Sequence, residues 1–311
     1  MSVSVIIPTH DRSRWLRLTL RTVLWQKDVD LEAIVVDDGS TDDTAEVIAA
    51  FADPRIRVLH HEQPRGVSRS RNHGAEQAAG EWIAFLDDDD LWAPDKLSKQ
   101  LISATESGRQ WVYTGSVNIN EHLRVTSGVR PPQPQDAARL IFRYNTIPGG
   151  GSNVMLRRDL LRHVGPFDAR HRNTEDWDLW IRLAEVDMPA WVPEPLMAKR
   201  IHPSNASLDI GAIFAGVALI EQRRGMKTDR GVLHRWIAES CLRTGQRTQA
   251  CKHMALAAAH GQALAVSGDL LVILGRRMDR YLGRDPRASG RGTEARWIAQ
   301  AQQWLQDLTK D

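Results

Sequence analysis

Three short acidic clusters have the makings of a site that handles phosphate through a metal ion. They are Pro8-Thr9-His10-Asp11, Asp37-Asp38-Gly39-Ser40 and Asp87-Asp88-Asp89-Asp90. Four successive carboxylates repel one another unless a cation or hydrogen-bond donors neutralise them. Hard divalent cations prefer oxygen ligands, and Mg2+ or Mn2+ commonly bridges carboxylates to phosphates. The competing expectation for Asp87–Asp90 is a solvated turn capping a helix that begins near Pro94, since aspartate favours helix N-termini. An EF-hand loop is excluded. The sixth position from Asp87 is Trp92 where glycine is needed, and the twelfth is Ser98 where glutamate is needed.

Two familiar phosphate cradles are missing. The first apolar run is followed by Pro8-Thr9-His10-Asp11-Arg12-Ser13 rather than GxGxxG, and no GxxxxGK[ST] occurs. Phosphate then has to be met by metal and basic side chains. Arg71 leads these: the stretch Arg65-Gly66-Val67-Ser68-Arg69-Ser70-Arg71-Asn72 opens a helix, where backbone N–H groups and arginines can face an anion together. A solvated helix face is the alternative, and it suits Arg69 better. Further along, Thr174-Glu175-Asp176-Trp177-Asp178 puts three acids at the start of another helix. Glu175 and Asp178 read there as caps, with Trp177, Trp180 and Leu183 as the buried side.

The elements carrying these groups follow from periodicity. Apolar runs at 3–7, 31–36, 55–59 and 82–86 alternate with amphipathic stretches near 12–26, 42–51 and 67–79. That alternation predicts a parallel sheet covered by helices on both faces, with right-handed crossovers. Ligands bind outside the carboxyl ends of such strands. The first, second and fourth runs each end in one acidic cluster, so all three clusters share one edge of the sheet. From 101 to 207 the pattern is less regular. It holds a strand candidate at 111–117, a proline-rich loop at 131–134, a glycine loop at Gly149-Gly150-Gly151 and a helix from Glu175 to about Glu185. From Leu208 onward the pattern is helical. Residues 236–260 suggest a helical hairpin, and a polar linker at 284–292 precedes a last amphipathic helix, 294–308.

Composition sets the limits. The 311 residues are 42% hydrophobic and 26% charged, ordinary for a globular chain, and the formal net charge of +2 argues for no polyanionic partner. No nucleic-acid partner is expected. Cys241 and Cys251 form no CxxC pair and point to a reducing compartment. Met1 leads straight into the first apolar run with no basic segment, so no secretory signal is expected and the predicted location is cytoplasmic. No apolar stretch reaches the ~20 residues needed to span a bilayer. Arg276-Arg277 beside Leu270–Leu274 leaves room for peripheral contact with the inner face of a membrane.

Taken in order and spacing, Val3–Arg12 (VSVIIPTHDR), Val35–Thr41 (VVDDGST), Gly66–Asn72 and Glu81–Asp90 (EWIAFLDDDD) resemble the family 2 glycosyltransferases of the GT-A fold. The resemblance covers about residues 3–205. It implies a domain over 1–207, with a nucleotide-sugar-binding half (1–100) and an acceptor-binding half (101–207), followed by a helical region, 208–311. It implies that Pro8, Thr9 and Asp11 line the base pocket, that Asp38 hydrogen-bonds the nucleobase, most often uracil, and that Arg71 contacts base or diphosphate. Asp87-Asp88-Asp89 falls at the DxD position, with Asp89 a direct metal ligand, Asp88 near the ribose and Asp87 supporting the metal site. Thr174-Glu175-Asp176-Trp177 is similar to the motif whose aspartate is the catalytic base, which makes Asp176 that base. His202, in Arg200-Ile201-His202-Pro203, matches a position that completes the metal site; a surface histidine before proline is the equal alternative.

The function implied is inverting transfer of a sugar from a nucleoside-diphosphate donor, UDP foremost, to an acceptor hydroxyl with Mn2+ or Mg2+. The acceptor is a glycan, a lipid-linked glycan or a small molecule. The helical region is expected to pack on the catalytic domain or to join two copies of the chain. A nucleotidyltransferase and a non-catalytic sugar-nucleotide-binding scaffold remain the rival readings.

Overall fold

The computed structural model describes residues 1–202, 205, 209–270, 292–308 and 310. Four parallel strands form its first part, β1 (Ser2–Thr9), β2 (Asp30–Asp37), β3 (Ile56–His60) and β4 (Trp82–Phe85), in the order β3-β2-β1-β4. The apolar side chains of β1, β2 and β4 are buried on both faces, with β3 a more open edge: Val3, Val5, Ile7, Val35 and Ala84 join one core, and Ile6, Ile34, Val36, Ile83 and Phe85 the other. Burial on both faces is why these runs are continuously apolar rather than alternating. Helices α1 (Ser13–Leu24), α2 (Thr44–Ala49) and α3 (Val67–Glu76) make the crossovers. At Gly74 a Cβ would lie 2.5 Å from the Ile6 Cγ2. Glycine there lets α3 settle onto β1 and brings its first turn to the edge where β1 ends.

The remainder makes the sheet mixed. It adds β5 (Leu91–Trp92), α4 (Lys96–Ser107), β6 (Trp111–Ile119), β7 (Val125–Val129), α5 (Pro134–Leu140), a 3-10 turn over Gly150–Asn153, β8 (Met155–Arg157), α6 (Arg158–Val164), α7 (Glu175–Val186) and β9 (Ala190–Arg200). Among the described residues the sheet has nine strands in the order β3-β2-β1-β4-β8-β6-β9-β5, with β7 on β6. Strand β8 is antiparallel to both β4 and β6, whereas β6 and β9 run parallel.

The chain then becomes helical, with α8 (Ile210–Arg224), α9 (Arg230–Arg243), α10 (Arg247–Ala257) and a last helix, α11 (Gly292–Leu308). Helices α9 and α10 pack together as a hairpin, and α11 lies on β7 and β9. There Trp297 donates its indole N–H to the Ser116 carbonyl at 3.3 Å and Trp304 to the Pro195 carbonyl at 3.0 Å. Both rings are buried, whereas Trp236 on α9 stays 39% exposed although the apolar pattern of the tail calls for its cover. No helix among the described residues is long and apolar enough to cross a membrane. The basic pair Arg276-Arg277 and the linker at 284–292 lie, but for Gly292, outside the described residues.

Candidate active site

The carboxyl ends of β1, β2 and β4 open into one cleft of about 730 Å3. Pro8, Thr9, Asp38, Arg71, Asp87, Asp88, Asp89 and Asp176 all line it. Asp11 does not. At φ 50° its backbone turns away, and its carboxylate accepts from the Thr41 N–H at 2.7 Å and the Asp42 N–H at 3.3 Å, tying the loop after β1 to the loop after β2. Asp38 accepts from the backbone N–H groups of Arg65 (2.9 Å) and Gly66 (2.7 Å) and lies 2.6 Å from the His61 Nδ1. His61 in turn stacks on His73 with a 2.9 Å contact between ring nitrogens. Burial opposes charge on Asp38, but the His61 contact and the two backbone donors hold its carboxyl below the ordinary range. No role was expected for His61 or His73; they form the support behind Asp38.

The aspartate run is buried rather than a solvated turn, with Asp88, Asp89 and Asp90 each 5% exposed or less. Each carboxylate has a different assignment. Asp90 accepts from the Ser152 hydroxyl at 2.6 Å and the Arg200 N–H at 3.0 Å, which fixes the loop. Asp89 meets the Arg12 guanidinium at 2.7 Å and the His202 Nε2 at 2.8 Å through the same oxygen. Asp88 meets Arg12 at 3.3 Å, and Asp87 meets Arg71 at 2.5 Å. Burial, then the Asp89 charge, push the Asp88 carboxyl up to about 7 against the pull of Arg12. Burial and the same charge raise Asp90. Asp89 resists burial through His202 and Arg12 and stays below the ordinary range. Among the three enclosed carboxyls the negative charge therefore favours Asp89. His202 is buried and stacked on Trp15 at 5.7 Å, so the surface-histidine alternative falls.

No group of three or more His, Cys, Asp or Glu side chains poised for a metal ion occurs among the described residues. Asp89 and His202 nevertheless converge as one oxygen and one nitrogen donor, on an oxygen that Arg12 also reaches. Those two donors would fit Mn2+ or Mg2+, which would supply positive charge beside a phosphate. Asp87 turns instead to Arg71.

Arg71 is fully enclosed, bridging Asp87 and Glu175, the latter at 2.9 Å. Gly151 makes room for it, since a Cβ there would lie 2.9 Å from the Arg71 Nη2. Glu175 is thus an ion-pair partner of Arg71 rather than a simple helix cap; first-turn acids of both kinds look alike in sequence. Asp178 pairs with Arg182 at 3.0 Å along α7. Asp176 lines the cleft, as Glu175 does, but is not paired with Arg71. One of its oxygens accepts from the Trp177 N–H at 2.7 Å, and the other sits 3.4 Å from the Asn145 Nδ2. Gly150, at φ 67°, passes so close that a Cβ would stand 3.2 Å from that second oxygen. Burial, then the Glu175 charge, push the Asp176 carboxyl up to about 6, against Arg71 and the Trp177 N–H.

A family model, Glycosyl transferase family 2, matches residues 4–165. The chain belongs to glycosyltransferase family 2. The transferase is 30% identical over 185 residues to UDP-Glc:alpha-D-GlcNAc-diphosphoundecaprenol beta-1,3-glucosyltransferase WfgD of Escherichia coli, a match covering 58% of this chain and 69% of WfgD. Two rickettsial relatives, 33% identical, are longer, and the matched segment makes up 33% of each. In structure it resembles TarS 1-349 of S. aureus in complex with UDP, with a TM-score of 0.59 at 18% identity over 99% of this chain and 89% of that one. It also resembles the mannosyltransferase PcManGT of Pyrobaculum calidifontis in complex with GDP-Man and Mn2+, with a TM-score of 0.55 at 18% identity over 98% and 85% of the two chains. At such identities the likeness speaks for fold, which is GT-A.

Three side chains of this transferase's cleft carried no sequence expectation. Arg12 balances Asp88 and Asp89 from the loop after β1. Asn145 touches Asp176 from the loop after α5. Lys199 lines the cleft from the end of β9 and forms no ion pair among the described residues. A strand-end basic residue next to the acidic edge was the available signal for Lys199; nothing short of the fold could have singled out Asn145.

Proposed function

We propose that this transferase moves a sugar from a UDP-linked donor to a hydroxyl of a glycan acceptor, with inversion at the anomeric carbon and with Mn2+ or Mg2+. One observation carries this reading: a carboxylate with raised proton affinity, Asp176, lines the same cleft as the buried aspartate run, separated from it by the Arg71 bridge. Asp176 takes the proton of the acceptor hydroxyl. The oxygen attacks the anomeric carbon as the bond to the diphosphate oxygen breaks, and the nucleoside diphosphate departs with the electron pair. Pro8, Thr9 and Asp38 hold the base, Asp11 keeps the base-pocket loops together and Asp88 faces the ribose. Asp89 and His202 hold the metal, with Asp87 supporting that site through Arg71. When bound, the metal neutralises charge on the diphosphate. Lys199 adds a cation beside the same group, and Arg71 holds the donor end and the base in one frame. UDP is favoured because WfgD is named for a UDP-glucose donor and TarS is solved with UDP. A lipid-linked acceptor at the inner membrane face agrees with the diphosphoundecaprenol in the name of WfgD.

A panel of nucleotide sugars with Mn2+, scored for nucleoside diphosphate, tests the reading. Release of UDP from a UDP-sugar is expected. Release of pyrophosphate, or of no nucleotide from any donor, overturns it. The pH profile follows from the raised Asp176 carboxyl. The base works only when deprotonated, so turnover at saturating donor should fall about tenfold per pH unit below about 6 and level off above it. A profile flat down to pH 4.5 would exclude Asp176 as the group whose ionisation sets the rate.

A further inference from the structure

Beyond Asp176 the cleft continues along α9, which lies outside the segment matched by the family model. Val232, Trp236, Glu239, Ser240 and Arg243 recur every three or four residues and present one face of that helix to the cleft. The other face, with His234, Ile237 and Cys241, is buried. Trp236 is 39% exposed, whereas Trp177, Trp180, Trp297 and Trp304 are all buried. An indole left open on the wall of a substrate cleft offers a flat apolar face with a polar edge.

The charges around it cancel. Arg143 pairs with Asp229 at 3.0 Å, Arg235 with Asp269 at 2.7 Å and Arg243 with Glu239 at 3.0 Å. A subsite for a phosphate or uronate would present guanidinium groups without carboxylate partners. Matched pairs beside an aromatic face instead offer alternating donors and acceptors, which suits a neutral polyhydroxyl ring. The platform is also fixed relative to the base. The Asp229 N–H donates to the Arg143 carbonyl at 2.8 Å, and two residues on Asn145 touches Asp176.

We infer that the α9 face is a subsite for a neutral saccharide unit of the acceptor, stacked on Trp236 and hydrogen-bonded by the Glu239–Arg243 pair. This rests on the glycosyl-transfer reading and adds the chemical class of what lies beyond the reacting hydroxyl. It makes the region after residue 208 part of acceptor selection, with no need for that region to touch the donor.

The test is an array of neutral and acidic oligosaccharides probed with the full chain in saturating UDP and Mn2+. The parent should retain neutral glycans. Trp236→Ala should lose that retention by about tenfold or more, the scale of an aromatic contact in a half-open site. Trp236→Phe should keep most of it, and UDP affinity by calorimetry should be the same in all three. Glu239→Gln leaves Arg243 without its carboxylate and should shift retention toward acidic glycans. The inference is overturned if the parent retains no neutral glycan, if Trp236→Ala binds like the parent, or if retention is confined to acidic glycans. The two readings fail separately. A chain that releases UDP from a UDP-sugar yet shows no Trp236-dependent retention keeps glycosyl transfer and loses the platform. One that binds neutral glycans through Trp236 and turns over no donor does the reverse.

Discussion

Asp176→Asn should lower turnover by about 10²–10⁴-fold, the usual cost of removing a general base, with UDP affinity close to that of the parent. Asparagine keeps the shape of the side chain and its place beside Gly150 and Asn145. It removes the carboxylate's proton affinity, and with it the group that takes the acceptor proton. The donor end of the cleft is not disturbed, because Arg71 reaches Asp87 and Glu175 and not Asp176. Asp176→Glu should fail comparably, since an added methylene moves the oxygen by more than the ~1 Å that can cost about 10²-fold. Single-turnover rates and UDP calorimetry on both variants decide the matter. Parental turnover in Asp176→Asn, or loss of UDP binding in place of turnover, would remove the base assignment.

Asp89→Ala should abolish the dependence of UDP affinity on Mn2+ and reduce transfer by about 10³-fold or more, as expected when several kcal/mol of charge stabilisation at the leaving group are lost. Asp89 is the carboxylate on which His202 and Arg12 meet, and its neighbours are engaged elsewhere: Asp90 fixes the loop, Asp87 pairs with Arg71 and Asp88 meets Arg12 at 3.3 Å. Calorimetry of UDP with and without Mn2+ reads the effect directly. A mutant that gains as much UDP affinity from Mn2+ as the parent would remove Asp89 from the metal site.

Much of this cleft is legible before folding. The four parallel strands declare themselves as apolar runs, and the rule that ligands gather at carboxyl ends places three acidic clusters on one edge. The strands that make the sheet mixed do not declare themselves. β5 has two residues and β8 three, too few for any period to register, and their existence depends on partners far along the chain. Side-chain partnerships are hidden for the same reason. Glu175 reads as a cap because its real partner, Arg71, is 104 residues away, and His202 reads equally as a metal-site residue and a surface histidine until Trp15 and Asp89 are seen to enclose it. Arg12 stood in plain view within the motif, but which acid it balances is settled only by the turn at Asp11.

The strand order has a consequence for engineering. One end of the sheet, β3-β2-β1-β4, comes from the first hundred residues, and so does the opposite end, β5, while β8, β6 and β9 from later in the chain fill the middle. The halves are therefore interleaved like the teeth of a zip. A chimera that grafts residues 1–100 onto another protein's acceptor half would have to supply a foreign three-residue strand for the free edge of β4 and a foreign long strand for β5. Without both, it presents unpaired backbone at two separate places, and aggregation is the expected fate of such edges. Donor preference in this scaffold is accordingly better altered by point changes along the cleft than by exchange of segments.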